Sequence, residues 1–169
     1  MRLLIFLLVF AAASPVLAGP YEEASAAYDK GDYATAVHIY RSLADNGEAR
    51  AQNNLCVMYS YGMGVSQDYE AAMLWCRKSA DQGNPYSQYI LGRMYYDPAP
   101  GTSKDDVQAY KWFNLAASLA DQTKESYVRD VAMTYRNSVA AGLRSAAIAL
   151  VKIVADAATP RNNWANECI

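Results

Sequence analysis

Apolar side chains recur along this chain at three- and four-residue spacing, in short runs that come in pairs. Ala24, Ala27 and Tyr28 form one small face. After the turn Gly31-Asp32, a second face follows through Tyr33, Ala36, Val37, Tyr40, Leu43 and Ala44. Ala51, Leu55, Met58 and Tyr59 mark a third helix, and Ala71, Ala72, Trp75 and Ala80 a fourth. Leu91 and Tyr95 lie on the buried side of a fifth, and Ala109, Trp112, Phe113, Ala116 and Ala117 on that of a sixth. This spacing belongs to amphipathic helices, not to strands. Gly47 and Gly83 stand where a left-handed residue closes a helix. Pro20 and Pro85 stand where a helix opens, since a missing N–H is harmless there.

The pairs repeat with a period of about thirty-six residues. Asp68, Ala72, Ala80 and Gly83 fall on Asp32, Ala36, Ala44 and Gly47. Leu55 and Tyr59 fall on Leu91 and Tyr95. After one inserted residue, Asp68, Ala72, Trp75 and Ala80 fall on Asp105, Ala109, Trp112 and Ala117. A period in this range means stacked supersecondary units, each of which hides its apolar flank against the next. The expected units are a degenerate first repeat at 19–47, a second at 48–83 and a third at 84–121. The third departs in its turn, where DPAPGTSKDD replaces YGMGVSQDY. Beyond 121 the period stops. A short helix is expected at 124–133, with Thr134 capping another. Val139, Leu143, Ala146, Ala147, Leu150 and Val154 then trace one stripe, read as a capping helix within 122–158 that covers the last repeat. The polar segment 159–169 reads as a loose tail.

These residues resemble the Sel-one-like repeat family, helical-hairpin relatives of the tetratricopeptide repeat. The family pattern is an alanine, then LGxxYxxGxGV, then Dxx[KA]Axx[WY]xxxAA and a glycine. The second unit is similar through Ala51, Leu55, Tyr59, Gly62, Gly64, Val65, Asp68, Ala72, Trp75, Ala80 and Gly83. The third is similar through Leu91, Gly92, Tyr95, Asp105, Ala109, Trp112, Ala116 and Ala117. The first matches only in its second helix. AYKWFNLAAS followed by RDVAMT resembles the C-terminal end of bacterial members. The resemblance implies an all-α fold, a right-handed αα-hairpin solenoid of about three repeats plus a C-terminal capping helix. It also implies a chain that scaffolds or binds other proteins.

At the N-terminus, Arg2 precedes an apolar run from Leu3 to Ala13, too short to cross a bilayer. Ser14-Pro15 breaks the run, and Val16-Leu17-Ala18 offers small residues to a signal peptidase. We expect 1–18 to be a secretory leader cleaved after Ala18, the alternative being a retained anchor. A periplasmic or secreted location follows, with no stable membrane span after cleavage. The full chain carries a formal charge of −2, and loss of Arg2 makes it more negative. That weak acidity offers no footprint for nucleic acid or anionic lipid. Fourteen tyrosines against three phenylalanines suit tight helical packing in which each ring keeps a polar edge near water.

The second unit breaks the pattern at two cysteines. Cys56 takes a slot that holds Ser25 and Gly92 in the other units, and Cys76 a slot that holds Tyr40 and Phe113. A disulfide stapling this hairpin is one expectation, in keeping with an oxidising compartment. Two buried thiols filling a gap is the other. Cys168 is left over, either unpaired or available to another chain.

Chemistry for catalysis is sparse. His38 is the only histidine and reads as an exposed helix residue, and no metal site or cofactor is expected. No serine is followed three residues later by lysine, as penicillin-recognising enzymes require. Gly62-Met63-Gly64 lacks the third glycine and preceding strand of a phosphate loop. The pairs Glu22-Glu23 and Asp105-Asp106 suit helix beginnings electrostatically. The reading is therefore a protein–protein interaction module and not an enzyme, binding a protein or peptide partner in the bacterial envelope. Gln52, Asn53, Gln88, Tyr89 and Arg93 are its candidate contacts, because they project from first helices and the apolar pattern does not need them. The alternatives are a hydrolase acting on a cell-wall component or β-lactam, and a purely structural stabiliser of a larger complex.

Overall fold

A computed structural model describes residues 19–99, 102–122, 126–143 and 145–158. The expected leader at 1–18, the tail at 159–169 and Cys168 lie outside the described residues. Among the described residues eight helices follow one another: α1 Pro20–Asp29, α2 Tyr33–Asp45, α3 Ala49–Tyr61, α4 Tyr69–Asp81, α5 Pro85–Tyr96, α6 Asp106–Gln122, α7 Ser126–Gly142 and α8 Ser145–Ala158. No strand occurs among the described residues. The first six helices pair as three antiparallel hairpins, each packed on the next, and α7 and α8 both return against α6. This is an all-α hairpin solenoid with a helical end cap.

Each repeated residue has a task. Asp32, Asp68 and Asp105 cap the second helix of each hairpin. Asp32 accepts from the Thr35 N–H at 3.2 Å, Asp68 from Glu70 at 3.0 Å and Ala71 at 2.9 Å, and Asp105 from Val107 and Gln108 at 3.0 Å. Leu55, Met58, Trp75, Leu91 and Trp112 fill one continuous core across the units. Tyr59 and Tyr95 keep their hydroxyls at the rim, where Arg41 and Arg77 from the preceding unit donate to them. The same cross-repeat bond thus occurs twice in register.

The slot that pairs a small residue on the first helix with a bulky one on the second is filled in three ways. In the first unit, Ser25 hydrogen-bonds Tyr40. In the third, Gly92 lies under Phe113, and a Cβ there would stand 2.8 Å from two ring carbons. In the second, the Cys56 and Cys76 sulfurs lie at disulfide distance, 2.01 Å, with Cα atoms 5.1 Å apart.

The end cap differs from expectation. Helix α7 runs unbroken through Thr134, whose hydroxyl donates to the Asp130 carbonyl one turn back at 2.9 Å instead of capping a new helix. The expected stripe is also out of phase on α8. Val151 and Ala155 are buried, while Leu150 is 63% exposed and Val154 is exposed too. α8 is apolar on most of its circumference, so its sequence does not fix which side turns inward. No helix among the described residues is long and apolar enough to cross a membrane.

Candidate partner-binding groove

Of the five candidate contacts, the structure turns two inward. Gln52 and Gln88 are buried, at 4% and 3% exposure. The Gln52 amide donates to the Ala44 carbonyl, and the Gln88 amide to the Ala80 carbonyl, each at 3.0 Å. Both bonds tie a first helix to the closing end of the hairpin before it, where the Ala44 and Ala80 carbonyls also accept from the Gly47 and Gly83 N–H groups. Gln52 also accepts from Gln82 at 2.7 Å. The corresponding position in the third unit is Leu119, whose side chain has no N–H to give. Gln88 Oε1 accordingly has no partner among the described residues. These glutamines belong to the scaffold, a correction to their reading as surface.

Asn53 joins them. Its side-chain oxygen position lies 2.8 Å from Ser87 Oγ, which lies 2.7 Å from Ser79 Oγ, and Ser79 donates to the Ala49 carbonyl at 2.7 Å. Each hydroxyl has one proton, so the chain closes only if Asn53 presents its NH2 to Ser87. Asn53 then donates to Ser87, Ser87 to Ser79, and Ser79 to Ala49. Tyr89 is half-buried against Phe113 and Tyr135, at centroid distances of 6.1 and 6.0 Å. Burial raises its phenol above the ordinary value, and the positive charge of the nearby Arg93 partly opposes the shift. Only Arg93 remains exposed.

Arg93 lies on the rim of a cleft of about 320 Å³ between the C-terminal halves of α3 and α5. Val57 and Tyr61 of α3 form one wall, Ile90 and Met94 of α5 the other, and Tyr69 and Pro98-Ala99 close the ends. A smaller gap beside it is lined by Tyr69, Met73, Met94, Ala99 and Thr102. The turn after α5 borders this space. In the second unit, Gly64 approaches the start of α2 so closely that a Cβ would lie 2.5 Å from the Tyr33 carbonyl. Both turns are closed at the base by the same bond, Asp68 N–H to Tyr59 O and Asp105 N–H to Tyr95 O, each 3.0 Å. In register, however, Pro98 and Pro100 replace Gly62 and Gly64. The cleft stands beside Pro98 and Ala99, at the start of α4.

One wall is held in place. Gln67 donates both to the Ser60 carbonyl at 2.7 Å and to the Tyr69 hydroxyl at 2.8 Å, which fixes the Tyr69 ring across the mouth. Tyr61 is 67% exposed. The sequence reading missed Val57, Tyr61, Tyr69, Ile90 and Met94. Its available signal was that Ile90 and Met94 share a face beside the Leu91–Tyr95 stripe, and that Tyr61 and Tyr69 flank the turn outside the repeat pattern. The groove brings together apolar and aromatic side chains with a charged rim. Its serine, Ser60, donates to the Cys56 carbonyl at 2.8 Å, and His38 stands apart, exposed on α2. No group of three or more metal-ligating side chains occurs among the described residues. The arrangement suits holding a side chain more than cleaving a bond.

The family model for the Sel1 repeat matches residues 49–84 and 85–121. Chitin synthase regulator SKT5 of Saccharomyces cerevisiae is 30% identical over 93 residues, which cover 54% of this chain and 13% of that protein. The chain therefore spans only a small part of that relative. Among solved structures, it superposes with a TM-score of 0.71 and 26% identity on c5321, a protective antigen present in uropathogenic Escherichia coli strains and displaying an SLR fold. That match covers 82% of this chain and 29% of the antigen. A Sel1 repeat protein from Oxalobacter formigenes is 32% identical with a TM-score of 0.53, over 66% of this chain and 86% of the other. Two matched repeats in register, on a hairpin solenoid shared with these proteins, show that the chain belongs to the Sel1 repeat family.

Proposed function

We propose that this protein is an interaction module of the bacterial envelope that holds a partner polypeptide in the groove between α3 and α5. One observation carries the reading. Val57, Ile90, Met94, Tyr61 and Tyr69 converge on an open cleft; Ile90 and Met94 rest on the repeat core, whereas Val57, Tyr61 and Tyr69 stand outside it. Partner contacts characteristically combine apolar and aromatic anchors with a polar rim. A relative described as a regulator of a synthase, and a fold shared with a bacterial antigen, agree with a role in recognition. For the compartment, the support is the expected leader together with sulfurs of Cys56 and Cys76 at disulfide distance, a bond that persists in oxidising surroundings.

The test is affinity capture from the organism's own envelope fraction with the mature chain and two variants. Tyr69→Ala and Tyr61→Ala should lose the partner that the parent retains, with an unchanged circular dichroism spectrum and melting temperature. Retention by both folded variants would exclude the groove. Turnover of muropeptides or β-lactams by the purified chain would favour the hydrolase alternative.

A further inference from the structure

Building on that groove, we infer that its occupant is a short basic–apolar segment: one large apolar side chain flanked within two residues by lysine or arginine. Size sets the first half. A cleft of about 320 Å³ walled by Val57, Ile90 and Met94 is at the small end of ligand-binding cavities. It has room for one bulky side chain and not for a whole helix. The described residues contain no strand edge on which a peptide backbone could be paired. Affinity must therefore come from the anchoring side chain and from charge.

Charge sets the second half. A more open depression shares Tyr69 with the cleft and is lined by Asp68 and Glu70, while Asp97 lines the cleft itself. Asp68 caps α4, which leaves the Glu70 and Asp97 carboxylates on either side of Tyr69 against one guanidinium, that of Arg93. Among the described residues neither of these two carboxylates forms an ion pair. Elsewhere Arg50, Lys104 and Arg129 pair with Glu48, Asp106 and Asp130. Asp97 occupies the C-cap of α5, with its N–H bonded to the Arg93 carbonyl at 2.8 Å. A carboxylate there adds to the negative end of the helix dipole. In the second unit the same register holds Tyr61, which is neutral. A cation brought by the partner would relieve this unfavourable placement, whereas an acidic segment would aggravate it.

The probe is a positional-scanning array of capped nonapeptides, incubated with the full oxidised chain. The expected result is selection of Leu, Met or Phe at one position with Lys or Arg within two residues. Replacing those basic residues by Glu should weaken binding about tenfold or more, and raising the salt should weaken the selected peptides. Asp97→Asn combined with Glu70→Gln should abolish the basic preference and keep the apolar one. Tyr61→Ala and Tyr69→Ala, each checked for an unchanged melt, should abolish both. Apolar selection without a basic preference, or with an acidic one, overturns this inference and leaves the groove standing. Absence of selection, or selection that folded Tyr61→Ala retains, overturns the groove as well. A dimer in light scattering that Tyr61→Ala dissolves would overturn it in favour of a second copy of the chain.

Discussion

Gly64 and Tyr33 are in a contact that admits no side chain: a Cβ on Gly64 would stand 2.5 Å from both the carbon and the oxygen of the Tyr33 carbonyl. Gly64 also has φ +71, in the left-handed region. Gly47 shares that conformation, with φ +94, but has nothing within 4 Å of its Cβ position. Gly64→Ala should therefore lose about 3 kcal/mol, combining conformational strain with displacement of the turn from α2. Gly47→Ala should lose only about 1 kcal/mol. Urea unfolding of the two variants separates close approach from backbone strain, since the account predicts unequal losses.

The sulfur pair and the Gly92–Phe113 pair occupy one slot in two units. Removing the link by Cys56→Ala with Cys76→Ala should cost roughly 3 kcal/mol, from a sequence separation of 20 residues. Transplanting the third unit's solution, Cys56→Gly with Cys76→Phe, should recover part of that loss, because the ring then lies over a residue without a Cβ. Thermal melts of the two double variants and of the reduced parent test this. A Gly/Phe variant less stable than the Ala/Ala variant would show that the slots are not equivalent.

The same comparison shows where sequence is informative. The apolar positions of the repeat, such as Leu55, Trp75, Leu91 and Trp112, were legible because burial acts on residue type directly. The cysteine pair was legible because register places Cys56 and Cys76 opposite slots filled by Ser25 with Tyr40 and by Gly92 with Phe113. Gln52 and Gln88 were misread as surface because polarity alone does not reveal an acceptor on the neighbouring hairpin. Their identical register was the overlooked clue, since a polar residue that recurs with the repeat serves the repeat. The groove was not legible because its walls come from three helices, α3, α4 and α5, at positions outside the repeat pattern. On α8, apolar residues on most sides left Val151 and Leu150 equally eligible for the inside.

Gln52 has both ends of its amide engaged, whereas Gln88 has an oxygen without a partner among the described residues. Gln52→Met should therefore cost about 2 kcal/mol, and Gln88→Met about 1 kcal/mol or less. Asn53→Ala should also lower stability by about 1 kcal/mol, because it removes the donor that starts the relay through Ser87 and Ser79. Arg93→Ala should leave the melting temperature nearly unchanged. Equal losses at Gln52 and Gln88 would remove the distinction drawn between the two units.

Tyr40 and Tyr89 give the fold an alkaline limit. Burial raises both phenols above their ordinary value; Tyr21 adds to the shift at Tyr40, and hydrogen bonds from Ser25 and Asn54 oppose it. A folded-state pKa above the unfolded one contributes stability that is complete below about pH 10 and is lost as pH rises through the folded value. Stability should hold up to about pH 10 and fall beyond it. Tyr40→Phe should flatten part of that fall. Spectrophotometric titration at alkaline pH should show two tyrosines ionising late, together with unfolding.

The groove is tested most directly by its position relative to a bound partner. A photo-crosslinking amino acid placed at Tyr69, and in a separate chain at His38 on the exposed side of α2, reads out which surface the partner covers in intact cells. Adducts from Tyr69 and none from His38 are the predicted result. Adducts from His38 with none from Tyr69 would contradict the account.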